Sequence, residues 1–252
     1  MSEPYRWLAQ YYDEFFGPLR APIDASRRRL LKRILPGVSS ACDLACGSGT
    51  TAIELAKQGI EVYAVDLSPG MCRLTRQKAR GLPVKVSTGD MRTFRLSRPV
   101  DLITCECDAL NHIPSKGDLR AVAKSAARAL NPGGYFYFDV NNSLGFIKYW
   151  SGTHWEEQPG VIMVMNNGLN RTADRAWSEI DWFIREPGGR NHWRRYQEHV
   201  EEICWTEGEI RLALEAAGFG EIECWDAAPF FKNADTRVSP GCRSFYLARK
   251  GG

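Results

Sequence analysis

The stretch Asp43-Leu44-Ala45-Cys46-Gly47-Ser48-Gly49-Thr50 decides how this chain of 252 residues is organised. It closes an apolar run over residues 38–44 and precedes apolar residues at helical spacing. This order predicts a β-strand, a glycine turn and an α-helix. Small residues in the turn let a ligand lie against the backbone, and the helix start offers unpaired N–H groups and a positive dipole end. The stretch therefore predicts a site for a nucleotide-type cofactor.

Composition limits the classes of protein to consider. The chain is 44% hydrophobic and 25% charged, which is ordinary for a soluble globular protein. Its net charge of +3 is too small to indicate a nucleic-acid or membrane partner. It shows neither a secretory signal nor an apolar run of 18 residues, and its eight cysteines lack zinc-ligand spacing. We expect a cytoplasmic protein with free thiols and no metal.

Apolar segments alternate with helical segments downstream of the glycine turn. The five predicted strands cover residues 39–44, 61–66, 83–88, 100–105 and 135–140. Such continuous apolar runs are typical of parallel strands that are buried on both faces. Two more strands, at 221–227 and 243–249, follow a helix over 206–217 that opens with a capping box. The pattern predicts an α/β fold with a doubly wound, mostly parallel sheet.

The two remaining regions differ from this pattern. Residues 151–205 contain five tryptophans and a turn at Pro187-Gly188-Gly189, and we interpret them as a small antiparallel sheet inserted after strand five, with strands at 161–167, 175–186 and 192–204. The N-terminal region is aromatic, and we expect Pro18 and Pro22 to separate its two helices, 4–17 and 22–35. The predicted domains are an N-terminal helical lid (1–37), a cofactor-binding domain (38–150 and 206–252) and a substrate-covering insert (151–205).

Two classes of cofactor fit the glycine turn. Gly47-x-Gly49-x-x-Ala52 matches the dinucleotide fingerprint, so a nicotinamide enzyme is one candidate. Asp66, at the end of the second strand, can accept both ribose hydroxyls of either cofactor. The turn alone does not decide between them.

Two features of the sequence bear on the choice between these cofactors. Asp43 precedes the turn so closely that it would repel a pyrophosphate, whereas it suits an ammonium or a sulfonium. Asp90 ends the third strand and can accept the adenine amino group, while Met91 packs against the ring. A nicotinamide cofactor is therefore disfavoured.

Four motifs together resemble the class I S-adenosylmethionine-dependent methyltransferase family: residues 43–50, Val65-Asp66-Leu67-Ser68-Pro69-Gly70-Met71, Gly89-Asp90-Met91 and Leu130-Asn131-Pro132-Gly133-Gly134. The resemblance implies a seven-stranded Rossmann-like sheet, S-adenosylmethionine as cofactor and S-adenosylhomocysteine as product. The cofactor-binding residues expected from the motifs and this resemblance are Tyr12, Asp43, Ala45, Gly47, Gly49, Asp66, Leu67, Met71, Asp90, Met91 and Cys105.

A second resemblance concerns the acceptor. Tyr12-Asp13 and residues 195–202 are similar to the small-molecule branch, which includes glycine and amino-sugar N-methyltransferases. This implies in-line transfer of a methyl group to nitrogen or oxygen of a small molecule, by a monomer or homodimer. Cys105-Glu106-Cys107-Asp108 stands where adenine-N6 methyltransferases of nucleic acids carry Asn/Asp-Pro-Pro-aromatic, so that class is disfavoured. A protein or RNA methyltransferase and a non-catalytic cofactor-binding protein remain alternatives.

Two histidines are candidates for a catalytic base, because an amine must arrive neutral and a hydroxyl must lose its proton. His112 follows strand four and is expected at the mouth of the site, although a histidine hydrogen-bonded within a loop is the alternative. His199 lies between Glu198 and Glu201, where a surface charge cluster is the alternative. Asn141 follows strand five, where a substrate or a plain turn is expected.

Overall fold

Two β-sheets organise the computed structural model, which describes residues 6–186, 192–226 and 241–252. The larger sheet has seven strands in the order β10-β11-β5-β4-β1-β2-β3. Its strands are β1 Ser40–Leu44, β2 Glu61–Asp66, β3 Val84–Thr88, β4 Val100–Cys105, β5 Leu130–Asn141, β10 Phe219–Asp226 and β11 Arg243–Lys250. The first five strands pair in parallel, and β11 runs antiparallel to both of its neighbours. The predicted fold class is confirmed.

Seven helices occur in the described part of the chain: α1 Arg6–Phe15, α2 Gly17–Leu31, α3 Thr50–Lys57, α4 Pro69–Lys78, α5 Lys116–Ala129, α6 Ser143–Tyr149 and α7 Glu207–Glu215. Helix α4 begins where Ser68 accepts a hydrogen bond from the Met71 backbone N–H. Helix α7 begins with the predicted capping box between Thr206 and Glu209. In the sheet, β1 lies between β4 and β2, so the chain continues to one side of β1 first and later to the other side. Ligands of such α/β sheets bind at the carboxyl ends of the strands where this change of direction occurs.

The prediction that Pro18 and Pro22 separate two helices is wrong. Helix α2 already begins at Gly17, with Pro18 in its first turn, where a backbone N–H has no helical partner to lose. Pro22 lies inside α2 and costs it one backbone hydrogen bond. The Ser26 hydroxyl donates to the Pro22 carbonyl at 2.8 Å, so this carbonyl is hydrogen-bonded within the helix.

The smaller sheet is antiparallel and has four strands in sequence order: β6 Gly152–Gln158, β7 Val161–Leu169, β8 Arg175–Arg185 and β9 Trp193–Ile203. Three strands were predicted. Strand β6 was missed because its burial shows no alternation between a core face and a solvent face. The predicted turn at 187–189 lies outside the described residues.

Helix α1 packs on the inner face of the small sheet. Phe15 and Tyr11 contact the ring of Trp182, with centroids 5.5 Å and 5.8 Å away. The Trp7 backbone N–H donates to Glu198 on β9 at 2.9 Å. The N-terminal helix and the small sheet therefore share one aromatic core. No helix in the three described segments is both long and apolar enough to cross a membrane.

Candidate active site

A cavity of about 410 Å³ lies at the carboxyl ends of β1, β2 and β4, below α1 and the small sheet. The turn after β1 contributes Gly47 to its wall, β2 contributes Asp66, and the segment after β3 contributes Asp90. Tyr12 of α1 and Glu202 of β9 line it from the other side. The fold thus brings the cofactor motifs and the inserted sheet to one cavity.

The glycine turn meets this cavity through Ala45 and Gly47. Both residues have positive φ, 55° and 53°, and a side chain at Gly47 would meet no neighbour within 4 Å. Gly49 is different, because a Cβ there would lie 2.6 Å from Thr75 Cγ2. Gly47 therefore leaves room for a ligand, whereas Gly49 allows the turn to pack against α4.

Asp66 is held in place by the backbone around it. Its two carboxylate oxygens accept the backbone N–H groups of Gly47 and Ser68, both at 2.8 Å. Burial raises its pKa, and these hydrogen bonds oppose the shift. Each oxygen keeps a lone pair for a further donor, which fits the two hydroxyls of a ribose. Leu67, 52% exposed, and Met71 line the same wall.

Asp90 and Met91 also line the cavity, as expected. Sequence reasoning missed Arg92, which binds the Asp90 carboxylate through Nε at 3.0 Å and Nη2 at 2.5 Å. These hydrogen bonds lower the pKa of Asp90. An adenine amino group would therefore share this carboxylate with Arg92.

Asp43 and Cys105 lie behind the cavity wall rather than on it. Asp43 accepts the backbone N–H of Ala52 at 3.0 Å and the Thr104 hydroxyl at 2.9 Å, so both of its oxygens face protein groups. Burial, with the charge of Glu106 next, raises the pKa of Asp43 to about 7. Cys105 is fully buried in the hydrophobic core. This geometry therefore does not provide the direct contact between Asp43 and the cofactor that the sequence predicted.

Glu106 and Arg20 are residues on the wall that sequence reasoning did not assign. Glu106 Oε2 accepts from Arg27 Nη1 at 2.6 Å, whereas its buried Oε1 has no hydrogen-bond partner among the described residues. Arg20 donates to Cys107 Sγ at 2.9 Å and to the Thr51 hydroxyl at 2.9 Å. The position of Glu106 directly after strand four was the available signal.

Two consecutive residues after Glu106 adopt the left-handed conformation. Cys107 and Asp108 have φ of 58° and 54°, a region that costs energy for residues other than glycine. The buried Asp139 carboxylate accepts both of their backbone N–H groups, at 2.8 Å and 3.1 Å, and pairs with Arg243. This arrangement fixes Asp108 at the cavity edge, where a second cavity of about 470 Å³ also begins.

His112 lines the cavity from a 3₁₀ turn at Ala109–His112. Its Nδ1 lies 3.0 Å from the Glu201 carbonyl, which can only accept, so Nδ1 carries the proton. The neutral ring then presents Nε2 as an acceptor, 3.8 Å from Glu202 Oε1. Burial lowers the pKa of His112, although Asp108 opposes the shift. The ring is thus neutral at neutral pH.

His199 does not join this group. It lies on the exposed face of β9, with Nδ1 2.6 Å from Glu179 and Nε2 3.2 Å from Glu201. These carboxylates raise its pKa against the effect of burial. The structure therefore places His199 in the surface charge cluster that was the alternative to catalysis. Nowhere in the described chain do three or more His, Cys, Asp or Glu side chains form a group that could hold a metal ion.

Comparisons with known proteins agree with this geometry. Residues 41–134 match the family model described as a methyltransferase domain. The putative methyltransferase YqeM of Bacillus subtilis (strain 168) is 32% identical over 218 residues, covering 85% of this chain and 86% of that protein. A dTDP-4-amino-2,3,4,6-tetradeoxy-D-glucose N,N-dimethyltransferase of Saccharopolyspora spinosa is 29% identical over 75% of both chains. The crystal structure of an S-adenosylmethionine-dependent methyltransferase from Clostridium acetobutylicum ATCC 824 superposes with a TM-score of 0.79, at 25% identity, over 98% of this chain and 99% of that one.

Proposed function

Since the chain belongs to the S-adenosylmethionine-dependent methyltransferases, we propose that it methylates an amino group of a small molecule. The single observation that carries this proposal is the position of His112, which lines the cavity shared with the cofactor motifs and whose Nδ1–H is bound by the Glu201 carbonyl. A neutral imidazole at this place can hold the proton that an amine must lose before it attacks.

The residues present fit the cofactor. Gly47 leaves open space beside the turn, Asp66 offers two fixed acceptor oxygens, and the lining residue Glu106 has a buried carboxylate oxygen that an ammonium could pair. S-adenosylmethionine supplies a methyl group that is already activated on a sulfonium, so alignment of the acceptor accounts for most of the catalysis. The chain's own residues bind the cofactor, orient the acceptor and remove its proton.

The size and the lining of the cavity support a small acceptor. Met165, Ile180 and Val200 project from the small sheet over the space that the cofactor motifs line. A volume of about 410 Å³ under this cover is in the range of small-molecule sites. The dimethyltransferase from Saccharopolyspora spinosa, named for an amino-sugar substrate, supports nitrogen as the target atom.

The test is transfer of a radiolabelled methyl group from S-adenosylmethionine. Purified protein is offered small amines, including amino sugars, each beside the matching compound with a hydroxyl in place of the amine. Folded protein substrates and RNA serve as the alternative acceptors. We expect label in the amines. Label that enters only hydroxyl compounds, protein or RNA would contradict the proposal.

A further inference from the structure

We propose that Glu202 and Asp108, together with Ser178, form the subsite that binds the acceptor's protonated amine and takes its proton. This inference rests on the proposed function and names the residues that select its substrate. It assigns a chemical role to Glu202 and Ser178, two buried side chains that the sequence analysis did not name as site residues. Their common feature is that they line the same wall of the cavity.

The two carboxyl groups are held together by a shared partner. Asn141 Nδ2 donates to Asp108 Oδ2 at 2.7 Å and to Glu202 Oε2 at 3.2 Å. The charge of Asp108 also acts on Glu202 across this shared partner. Glu202 is only 3% exposed, so the side chain gains nothing from bulk water. Such a buried pair is costly unless a proton or a cation is shared between the two groups.

The balance of charge around the pair calls for a cation. Arg243 reaches Asp108 at 3.5 Å, but it also pairs with the fully buried Asp139. Asp108 and Asp139 thus share this guanidinium, which makes no ion pair with Glu202 in the described part of the chain. His112 also faces Glu202, and burial keeps its ring neutral. Burial and the charge of Asp108 raise the pKa of Glu202 well above its usual range, with Asn141 and Arg243 opposing.

Ser178 gives an independent indication of a ligand. It is fully buried on β8, and its hydroxyl has no hydrogen-bond partner in the described parts of the chain. It lies opposite Val200 in the sheet register and therefore projects from the same face as Glu202, two residues further along β9. Buried hydroxyls are normally hydrogen-bonded. A polar ligand in the cavity would supply the missing hydrogen-bond partner of the Ser178 hydroxyl.

A primary ammonium suits this set of acceptors better than a hydroxyl does. It has three N–H donors and a positive charge, and the subsite offers two carboxyl groups and a hydroxyl oxygen to receive them. A neutral hydroxyl has one donor and no charge, so it would leave buried acceptors unpaired. The subsite therefore selects nitrogen acceptors over oxygen acceptors.

The same pair can free the nucleophile. One N–H bond of the ammonium breaks, an O–H bond forms on a carboxylate oxygen of the pair, and the bonding electrons stay on nitrogen as its lone pair. The amine is then neutral and can attack, while the new O–H bond breaks and its proton passes from Glu202 to Nε2 of His112, which lies 3.8 Å from Glu202 Oε1. It leaves to solvent after the product is released.

The experiment measures binding without turnover. Wild-type protein saturated with S-adenosylhomocysteine is titrated calorimetrically with primary amines of pKa above 8, drawn from amino sugars and amino alcohols, and with their hydroxyl counterparts. Glu202→Gln keeps the shape of the side chain and its contact with Asn141. Glu201→Gln is the matched control, because it makes the same change on the exposed neighbour and keeps the carbonyl that binds His112. Glu202→Asp restores the charge.

We expect at least one amine to bind the wild type 10-fold or more tightly than its hydroxyl counterpart. This preference should increase with pH as Glu202, whose pKa burial raises, loses its proton. Glu202→Gln should lose the preference and its pH dependence, Glu201→Gln should keep both, and Glu202→Asp should recover part. Affinity for S-adenosylhomocysteine and the melting temperature report whether each variant is folded.

Two outcomes would overturn the inference: an unchanged amine preference in Glu202→Gln, or no amine that binds better than its counterpart. The fate of the proposed function is read separately from methyl transfer. If the wild type methylates an amine that Glu202→Gln binds equally tightly, the proposed function stands and the proposed subsite is wrong. If amines bind selectively and this binding depends on Glu202, but the radiolabel enters only other acceptors, the subsite stands and the proposed function is wrong.

Discussion

His112 and Glu201 are joined by a hydrogen bond of 3.0 Å from the imidazole Nδ1–H to the backbone carbonyl. It fixes the tautomer, so that Nε2 is the unprotonated nitrogen, 3.8 Å from Glu202 Oε1. Because Nδ1 is engaged by a carbonyl, rotation of the ring would break a hydrogen bond. The orientation needed by a base is thus set by the main chain of β9.

The first prediction concerns this histidine. His112→Asn retains an amide N–H that can donate to the Glu201 carbonyl, but it lacks a base, whereas His112→Ala removes both functions. If His112 accepts the proton, both variants should lose about 10²-fold or more in kcat, with affinity for S-adenosylhomocysteine nearly unchanged. The measurement is steady-state kinetics with the identified acceptor. Near-wild-type kcat in His112→Asn would assign the residue a purely positional role.

The pH profile checks the same residue. Burial lowers the pKa of His112, so the neutral form persists to below the ordinary pKa of about 6.5. The rate should therefore fall only as the pH drops below that value, and the limb that belongs to His112 should be missing in His112→Asn.

The second prediction tests the ribose contact. Asp66→Ala removes a carboxylate that two backbone N–H groups hold against the cavity, and it should weaken S-adenosylhomocysteine binding by about 1.5–3 kcal/mol, the scale of hydrogen bonds to a charged group. Asp101→Ala is the matched control, because Asp101 also accepts two backbone N–H groups, from Ser39 and Ser40, at the opposite edge of the sheet. Equal affinity in Asp66→Ala and wild type would remove the ribose assignment.

The third prediction compares two acidic residues near the glycine turn, Glu106 and Asp43. Glu106 lines the cavity, and its buried Oε1 has no hydrogen-bond partner among the described residues, whereas both oxygens of Asp43 accept from protein donors. Glu106→Gln should therefore weaken S-adenosylmethionine binding about 10-fold or more, and Asp43→Asn should change it little. Calorimetric titration of both variants decides the matter. The reverse order of the two effects would restore the direct role that the sequence suggested for Asp43.

The fourth prediction follows from the buried carboxyl of Asp43. Its folded-state pKa of about 7 lies above its ordinary value of 3.8, so the folded protein holds this proton more tightly than the unfolded chain does. The contribution to stability is complete below pH 3.8 and is lost as the pH rises to about 7, by about 4 kcal/mol at most. Asp43→Asn should remove this dependence, as measured by urea unfolding across that pH range. Parallel curves for the two proteins would contradict the shift.

The sequence predicted the cofactor side of the molecule because its signals are local. The glycine turn, Asp66 and Asp90 each lie at the end of a strand whose apolar run is visible in the sequence. Once the strands are parallel, their carboxyl ends meet at one edge of the sheet. Side-chain direction was harder to predict, and it separates Asp43, which faces α3, from Glu106, which faces the cavity.

The acceptor side could not be predicted in this way. Asn141 and Glu202 are 61 residues apart in the chain, and their contact depends on how the small sheet is placed over the large one. The period-two pattern of β9 showed that His199 and Glu202 face opposite sides, but not which side faces the cavity. Pro22 is a similar case, since tertiary packing retains a helix that local preference would end.

The last prediction concerns the support of the loop that carries Asp108. Asp139→Asn weakens the acceptor for the Cys107 N–H and leaves the buried Arg243 without its charged partner. Breaking a buried ion pair costs about 3–5 kcal/mol, so the free energy of unfolding should fall by that amount. Arg243→Met added to Asp139→Asn should recover part of the loss. Asp181→Asn is the control, because its bond to Arg195 lies on the exposed face of the small sheet, where such pairs contribute about 1 kcal/mol or less. Equal losses in the two single variants would show that Asp139 does not support the loop.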